Sequence, residues 1–246
     1  MNRNTLLYGI GAIALGLVGI VFGNFALQWQ PVPKDFPARI PLAYIAAGVT
    51  LLAGGLAIAQ RTAREGLLAL CAIYTLWTLV LHGPHVVAHP LESGAWQAFC
   101  EIAAMAAGGF ALYFAMRGNA RAVMVGRVAF GLCALLFGLN HFVYGAFTAS
   151  MVPPWLPFPL FWAYATGAGH AAAGLALVSG VRARLAAQML AMMMGSFVLL
   201  LHLPRVLGNS SSHIEWAMLA IATTLTGSAW GVACALTPAL PPRQDL

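Results

Sequence analysis

The feature that most constrains the fold is the length of the stretches without a charged residue. No Asp, Glu, Lys or Arg occurs from Val128 to Val181, and charged residues make up only 7% of the chain. A soluble domain carries about 25% charged residues. A helix of roughly 20 apolar residues is long enough to cross about 30 Å of hydrocarbon. The sequence therefore predicts an all-α integral membrane protein.

Apolar segments separated by short polar or proline-containing turns predict eight transmembrane helices. Their approximate bounds are 5–26, 39–60, 66–86, 95–116, 124–146, 159–180, 185–206 and 213–236. We expect the first segment to stay in the fold rather than to be removed as a signal peptide, because GLVGIVFG at 16–23 matches GLCALLFG at 131–138. Residues 237–246, with three prolines, are expected to form a cytoplasmic tail.

A recurring motif divides the chain into two similar halves. Leu-His-x-Pro-x-Val begins at Leu81 and again at Leu201, 120 residues later, and in each copy a tryptophan follows 14 residues after the histidine. This predicts one four-helix unit at 1–122 and a second at 123–236. Because four is an even number, both units enter the membrane from the same side. We therefore expect two parallel four-helix repeats related by an axis along the membrane normal.

The distribution of basic residues predicts the orientation, because cytoplasmic loops carry an excess of Lys and Arg. One predicted side holds nine arginines and the other only three basic residues. The first set is Arg3, Arg61, Arg64, Arg117, Arg121, Arg127, Arg182, Arg184 and Arg243, and the second is Lys34, Arg39 and Arg205. We expect a multi-pass protein of the bacterial inner membrane with both termini in the cytoplasm, so that the repeated histidine motif lies at the outer face.

His82 and His202 occupy equivalent places in the two halves and are the first candidates for a site. If both face inward, they lie at the same depth and line one central cavity near the outer leaflet. There an imidazole can bond a quinone carbonyl, ligate a metal or relay a proton. The alternative is structural: each histidine caps its helix or bonds a loop carbonyl beside the following proline.

A metal site is a further alternative in the first half. His82, His85 and His89 are spaced three and four residues apart, which places them along one face of an unbroken helix. Neutral imidazoles in that arrangement can hold zinc or copper. The second half has Arg205 and Asn209 in place of the last two histidines, so any metal would belong to one half only.

Two charged residues stand out in the apolar background. Glu101 lies within the fourth predicted span and needs a partner, for which a nearby His or Arg is the obvious choice. It is a candidate either for a structural ion pair or for proton handling. Arg205 lies at the outer end of the seventh span; it is expected to pair with Glu215 or Glu101, to hold an anionic headgroup or substrate, or to reach the interface alone.

Two further histidines lie in the second half. His141, preceded by Asn140, is near the outer end of the fifth span and is expected to join the cavity. His170 lies near the middle of the sixth span between small residues, where it can also serve as a hydrogen-bond donor across a close helix crossing.

The segment from Met151 to His170, MVPPWLPFPLFWAYATGAGH, together with Asn140-His141-Phe142, resembles the DoxX/DoxD-like family of small membrane proteins. The resemblance implies four-helix units, so that the chain would be two fused DoxX-like units. The second half matches better, because the first has Phe25 and Thr50 where the second has His141 and His170. Some relatives are associated with quinone-linked sulfur oxidation, others with membrane redox complexes or the maturation of partner proteins.

Three hypotheses follow, none of which names a reaction. The first is a subunit or partner of a membrane redox system, with a quinone- or lipid-sized cavity near the outer leaflet that is lined by His82, His202, Arg205 and His141. The second is a non-catalytic scaffold packed against a larger membrane complex. The third is a b-type haem carrier with His82 and His202, or His170 and another span, as axial ligands. The four cysteines lie singly in apolar segments, which favours packing rather than covalent haem attachment.

Overall fold

The computed structural model describes residues 1–237, and within them the chain is helical without any β-strand. Eight long helices follow one another in this part of the chain. They are α1 (Leu6–Phe22), α2 (Arg39–Ile58), α3 (Ala63–Ala88), α4 (Ser93–Ala115), α5 (Ala120–Val143), α6 (Pro159–Ser179), α7 (Ala183–Gly208) and α8 (His213–Ala235). The remainder of the predicted tail, 238–246, lies outside the described residues.

Six of the long helices, all except α1 and α6, are long and apolar enough to cross a membrane. Helix α1 has 17 residues and ends at Gly23, which takes a left-handed conformation with φ of 59°. Helix α6 is long enough but less apolar, because it carries His170 and three glycines. All eight helices overlap the segments predicted from the sequence, and that all eight cross the bilayer stays a prediction.

Helices α4 and α8 form the centre of the bundle. They contact each other, and 56% and 67% of their apolar windows are buried, more than in the four other candidate spans. Around them, α1 packs against α2 and α8, α5 against α4 and α6, α3 between α2 and α4, and α7 between α6 and α8. The outward faces expose large apolar side chains such as Leu52, Val80, Leu132 and Leu175, the surface that a lipid environment would cover.

Small residues allow the central helices to approach closely. Gly227 on α8 faces the backbone of Tyr8 on α1, and a Cβ at Gly227 would overlap the Tyr8 nitrogen. The Tyr8 hydroxyl crosses to α4 and donates to the Met105 carbonyl at 2.9 Å. This phenol is fully buried, so its hydrogen bond joins the first helix of the chain to the centre of the bundle.

Helices α3 and α7 each contain a π-helical segment, at Thr78–His82 and Val198–His202. Each segment ends at the histidine of the repeated motif, two residues before Pro84 or Pro204. A proline inside an α-helix has no N–H to donate and its ring clashes with the carbonyl four residues earlier. The wider π turn gives that carbonyl room, and such turns occur often at functional sites.

Candidate functional site

A cavity of about 650 Å³ lies among α4, α5, α6, α7 and α8. Its wall is mostly apolar, and several lining side chains, Trp155 and Leu200 among them, are also exposed at the surface of the bundle. The titratable residues that line it are His141, His170, His202 and Glu101. The cavity is therefore an apolar chamber into which three imidazoles and one carboxyl group project.

His141 on α5 and His170 on α6 lie side by side in the cavity, with ring centroids 5.0 Å apart. Nδ1 of His141 lies 3.0 Å from the carbonyl oxygen of Ala163, and Nδ1 of His170 lies 3.0 Å from that of Thr166. A carbonyl oxygen only accepts hydrogen bonds, so each Nδ1 carries the proton. The Thr166 hydroxyl, also 3.0 Å from Nδ1 of His141, donates in turn to the Trp162 carbonyl at 2.8 Å. In the neutral rings each Nε2 is then a proton acceptor, with no hydrogen-bond partner in residues 1–237.

Glu101 does not pair with a cation, contrary to expectation. Its carboxyl group accepts hydrogen bonds from the indole N–H of Trp29 and, at 2.9 Å, from the side-chain amide of Gln97. Gln97 in turn accepts from Asn140 at 2.8 Å. No Lys, Arg or His in the described part of the chain lies within ion-pair distance of Glu101. Neutral donors from α4 and the loop after α1 therefore hold this carboxyl group against the cavity, and Asn140 on α5 holds Gln97 in place.

His202 lines the cavity near the end of the π-helical segment in α7. The residue is buried, and its Nδ1 has no hydrogen-bond partner. A buried polar atom without a partner costs free energy unless a ligand or water satisfies it. No hydrogen bond within residues 1–237 therefore holds this ring, which lines the cavity through its other atoms.

His82 does not line the cavity, although it is equivalent to His202 in the sequence. Its buried Nε2 lies 3.1 Å from the carbonyl oxygen of Trp29. The expectation that the two imidazoles face each other across one central cavity is thus wrong, and so is the axial pair that the haem hypothesis drew from them. Because the Trp29 indole bonds Glu101, His82 supports a wall of the cavity from outside.

Arg205 also lies outside the cavity lining. Its guanidinium donates two hydrogen bonds to the carboxylate of Glu215, at 2.8 and 2.7 Å, from a position that leaves both side chains partly exposed. The predicted pairing with Glu215 is confirmed, whereas Glu101 takes no part in it.

The histidines of the metal hypothesis are not brought together as a metal site. His82 faces Trp29, while the rings of His85 and His89 lie 4.7 Å apart, with His89 3.6 Å from Glu92. Across residues 1–237 no group of three or more His, Cys, Asp or Glu side chains is placed to hold a metal ion. The pair that meets is His85 and His89, whereas His82, at the end of the π-helical segment, is held by the Trp29 carbonyl instead.

The first half differs at the positions that correspond to the cavity wall. At an offset of 120 residues, Thr50 takes the place of His170, Tyr74 that of Met194 and Trp77 that of Phe197. All three are buried: Thr50 bonds within its own helix, and the rings of Tyr74 and Trp77 pack together at 5.5 Å. Larger aromatic side chains therefore occupy space on this side, and the polar ligands of the second half are missing.

Sequence reasoning overlooked two members of the carboxyl network. Gln97 lies four residues before Glu101 on the same helix face, a spacing from which the contact could have been predicted. Nothing in the sequence marks Trp29, because its indole reaches Glu101 only through the fold of the loop after α1.

Comparison with protein families agrees with this geometry. The DoxX family model matches residues 122–203. The second half of the chain carries a DoxX domain. This DoxX match runs from α5 to the end of the π-helical segment in α7 and includes His141, His170 and His202. It confirms the resemblance read from the sequence over these residues, and together with the six candidate spans it supports a multi-pass membrane protein. Comparison with curated proteins gave no match, and neither did comparison with solved structures.

Proposed function

We propose that this DoxX membrane protein is a quinone-binding subunit or partner of a membrane redox system. The observation that carries the proposal is the convergence of three imidazoles and one carboxyl group on a single apolar cavity. Its volume of about 650 Å³ lies within the range of roughly 300 to 1,000 Å³ of small-molecule sites. Such a cavity suits a ligand that has an apolar ring system with two polar oxygens on opposite edges.

The hydrogen-bonding state of the histidines favours the reduced form of a quinone. Since Nδ1 of His141 and of His170 donates to a backbone carbonyl, each neutral ring offers Nε2 as an acceptor for a hydroxyl of the hydroquinone. Oxidation of that ligand releases two protons and two electrons. The imidazoles are placed to accept the protons, and the electrons pass to a partner redox protein. Protonated rings would in turn donate to the carbonyl oxygens of the quinone.

The binding proposal is tested by quinone titration of the purified full-length protein. Trp29, Trp155 and Trp162 line the cavity, so a bound quinone is expected to quench their fluorescence. We expect His141→Leu and His170→Leu to weaken binding about tenfold each, the effect of losing one hydrogen bond of roughly 1.4 kcal/mol. His85→Leu is the matched control, because that histidine lies outside the cavity. Equal affinities in all four proteins would refute the proposal.

Extraction of the native protein provides a second test. Mass spectrometry of the lipids that remain bound after purification is expected to identify a quinone in wild-type protein and less of it in the His141→Leu variant. Stoichiometric partner chains without any bound quinone would instead favour the scaffold hypothesis.

We further propose that the chain forms two parallel four-helix repeats, 1–122 and 123–236, with eight spans and both termini in the cytoplasm of a bacterial cell. The π-helical segments at equivalent positions support the repeat, and the arginines in the turns around Gly118 and Gly180 support the orientation. In a cysteine-free background, Gly118→Cys should be protected from a membrane-impermeant maleimide added to whole cells with a permeable outer membrane. Ser210→Cys should be labelled, and the reverse pattern would contradict the orientation.

A further inference from the structure

A second cavity, of about 590 Å³, lies at the end of the bundle opposite to His202. It is formed where α5 and α7 begin and where α6 and α8 end. Three arginines line it: Arg127 from the second turn of α5, and Arg182 and Arg184 from the start of α7. We call this space the arginine cavity. It shares no lining residue with the first cavity.

Among residues 1–237, no acidic side chain lines the arginine cavity. The ion pairs of residues 1–237 join His89 to Glu92 and Arg205 to Glu215, and none involves the arginine cavity. Nε of Arg127 is buried and has no hydrogen-bond partner in this part of the chain. Arg127 as a whole is half-buried, so its two terminal nitrogens remain accessible to an anion at the cavity.

Local backbone geometry holds Arg127 in place. Gly180 at the end of α6 has φ of 84°, a conformation that a residue with a side chain rarely adopts. A Cβ at Gly180 would lie 2.8 Å from Nη1 of Arg127. The turn thus leaves room for the guanidinium, which packs directly against the chain at the mouth of the arginine cavity.

The corresponding region of the first half does not have this composition. There Arg64 donates to the carbonyl of Met116 at 3.0 Å, and Glu65 follows it in the first turn of α3. The equivalent of Glu65 in the second half is Leu185, and that of Arg182 is Thr62. The uncompensated positive charge is therefore a property of the second half and not of the repeat.

We propose that the arginine cavity binds the phosphate group of an anionic ligand. Guanidinium groups bind phosphate oxygens through paired hydrogen bonds, and basic pockets between helices at the cytoplasmic side are suited to anionic headgroups. The phosphate belongs either to an anionic lipid of the inner leaflet or to a soluble phosphate compound. This inference rests on the proposed orientation of the chain but not on the quinone proposal.

The test compares thermal unfolding of the full-length protein in nanodiscs of phosphatidylcholine, with or without phosphatidylglycerol. We expect phosphatidylglycerol to raise the unfolding midpoint of the wild type by about 2–4 °C, the shift that corresponds to 1 kcal/mol in a chain of this size. In a separate arm, phosphatidylcholine nanodiscs receive inorganic phosphate or sodium chloride at equal ionic strength. An increase with inorganic phosphate alone would identify a soluble phosphate compound as the ligand.

Arg127→Gln is expected to abolish the increase and to weaken phosphatidylglycerol binding about tenfold in a lipid titration. In phosphatidylcholine alone this variant should be about as stable as the wild type, because Arg127 makes no hydrogen bond or ion pair within residues 1–237. Equal stability there separates loss of binding from misfolding. Arg121→Gln is the matched control: it lies on the same helix but outside the arginine cavity. The proposal is overturned if neither phosphate source raises the unfolding midpoint of the wild type. It is also overturned if Arg121→Gln reduces this increase and the phosphatidylglycerol affinity as much as Arg127→Gln does.

Discussion

His82 and His202 end two π-helical segments that are 120 residues apart, but their imidazoles have different neighbours. Nε2 of His82 is 3.1 Å from the carbonyl oxygen of Trp29, whereas Nδ1 of His202 has no partner and its ring lines the large cavity. The same backbone feature thus supports the wall of the cavity in one half and contributes to its interior in the other.

This difference predicts opposite effects for two matching substitutions. His82→Leu removes the donor to the buried Trp29 carbonyl and is expected to lower the free energy of unfolding by about 1–3 kcal/mol. His202→Leu breaks no hydrogen bond within residues 1–237 and removes a buried polar atom without a partner, so it should be neutral or stabilise the protein by up to about 1–3 kcal/mol. Denaturant unfolding in detergent micelles measures both values.

Quinone titration of the same two proteins separates ligand binding from stability. His202→Leu should weaken binding although it folds normally. A large loss of stability in His202→Leu, or none in His82→Leu, would contradict the two roles.

The helices could be predicted from the sequence because long apolar runs leave few alternatives. Each of the eight predicted segments overlaps a helix, and the errors at the ends have physical causes. The sequence predicts a fifth span that continues to residue 146, but α5 ends at Val143 and a separate short helix follows at Gly145–Met151. Apolarity continues across that break, so hydrophobicity alone does not mark it.

The site was predicted only in part, because side-chain direction does not follow from a repeat. Equivalence of His82 and His202 in the sequence indicated a shared central chamber, but Tyr74 and Trp77 are buried where the second half has Met194 and Phe197. The position of a cavity depends on the volumes of the side chains that pack around it. Those side chains come from helices that are distant in the sequence, so the repeat alone does not predict the cavity.

The carboxyl network gives a second prediction. Glu101→Leu leaves the Trp29 indole N–H and the Gln97 amide without their acceptor, and we expect a loss of about 2 kcal/mol or more of unfolding free energy. Glu101→Gln should cost less, because its carbonyl oxygen still accepts one of these two hydrogen bonds.

A double-mutant cycle tests whether the network is real. Gln97→Leu combined with Glu101→Leu should destabilise by at least about 0.5 kcal/mol less than the sum of the single variants, since each removes the same hydrogen bond. Strict additivity in thermal or denaturant unfolding would mean that the two side chains do not interact.

The ion pair between Arg205 and Glu215 gives a third prediction, of a small effect. The Arg205 side chain is 40% exposed, and exposed pairs contribute about 0.2–1 kcal/mol. Arg205→Ala should therefore lower the unfolding free energy by less than about 1 kcal/mol and leave quinone binding unchanged, as it lies outside the cavity. Glu215→Ala should have the same small effect on the unfolding free energy and should also leave quinone binding unchanged. A tenfold loss of quinone affinity in Arg205→Ala would place the guanidinium in the binding site after all.

The last prediction concerns the close contact between α1 and α8. A Cβ at Gly227 would overlap the backbone nitrogen of Tyr8, and a backbone cannot move aside as a flexible side chain can. Gly227→Ala should therefore push the two helices apart and weaken the bond from Tyr8 to Met105, with an expected loss of about 1–3 kcal/mol from overpacking.

Gly48→Ala is the matched control, because this glycine lies within α2 with no atom near its missing Cβ. Alanine there should stabilise the protein by about 0.5–1 kcal/mol, since it restricts the unfolded chain without any clash. Thermal unfolding of both variants in the same micelles shows whether each substitution stabilises or destabilises the protein. If Gly227→Ala were neutral or stabilising, α1 would not approach α8 as closely as this packing requires.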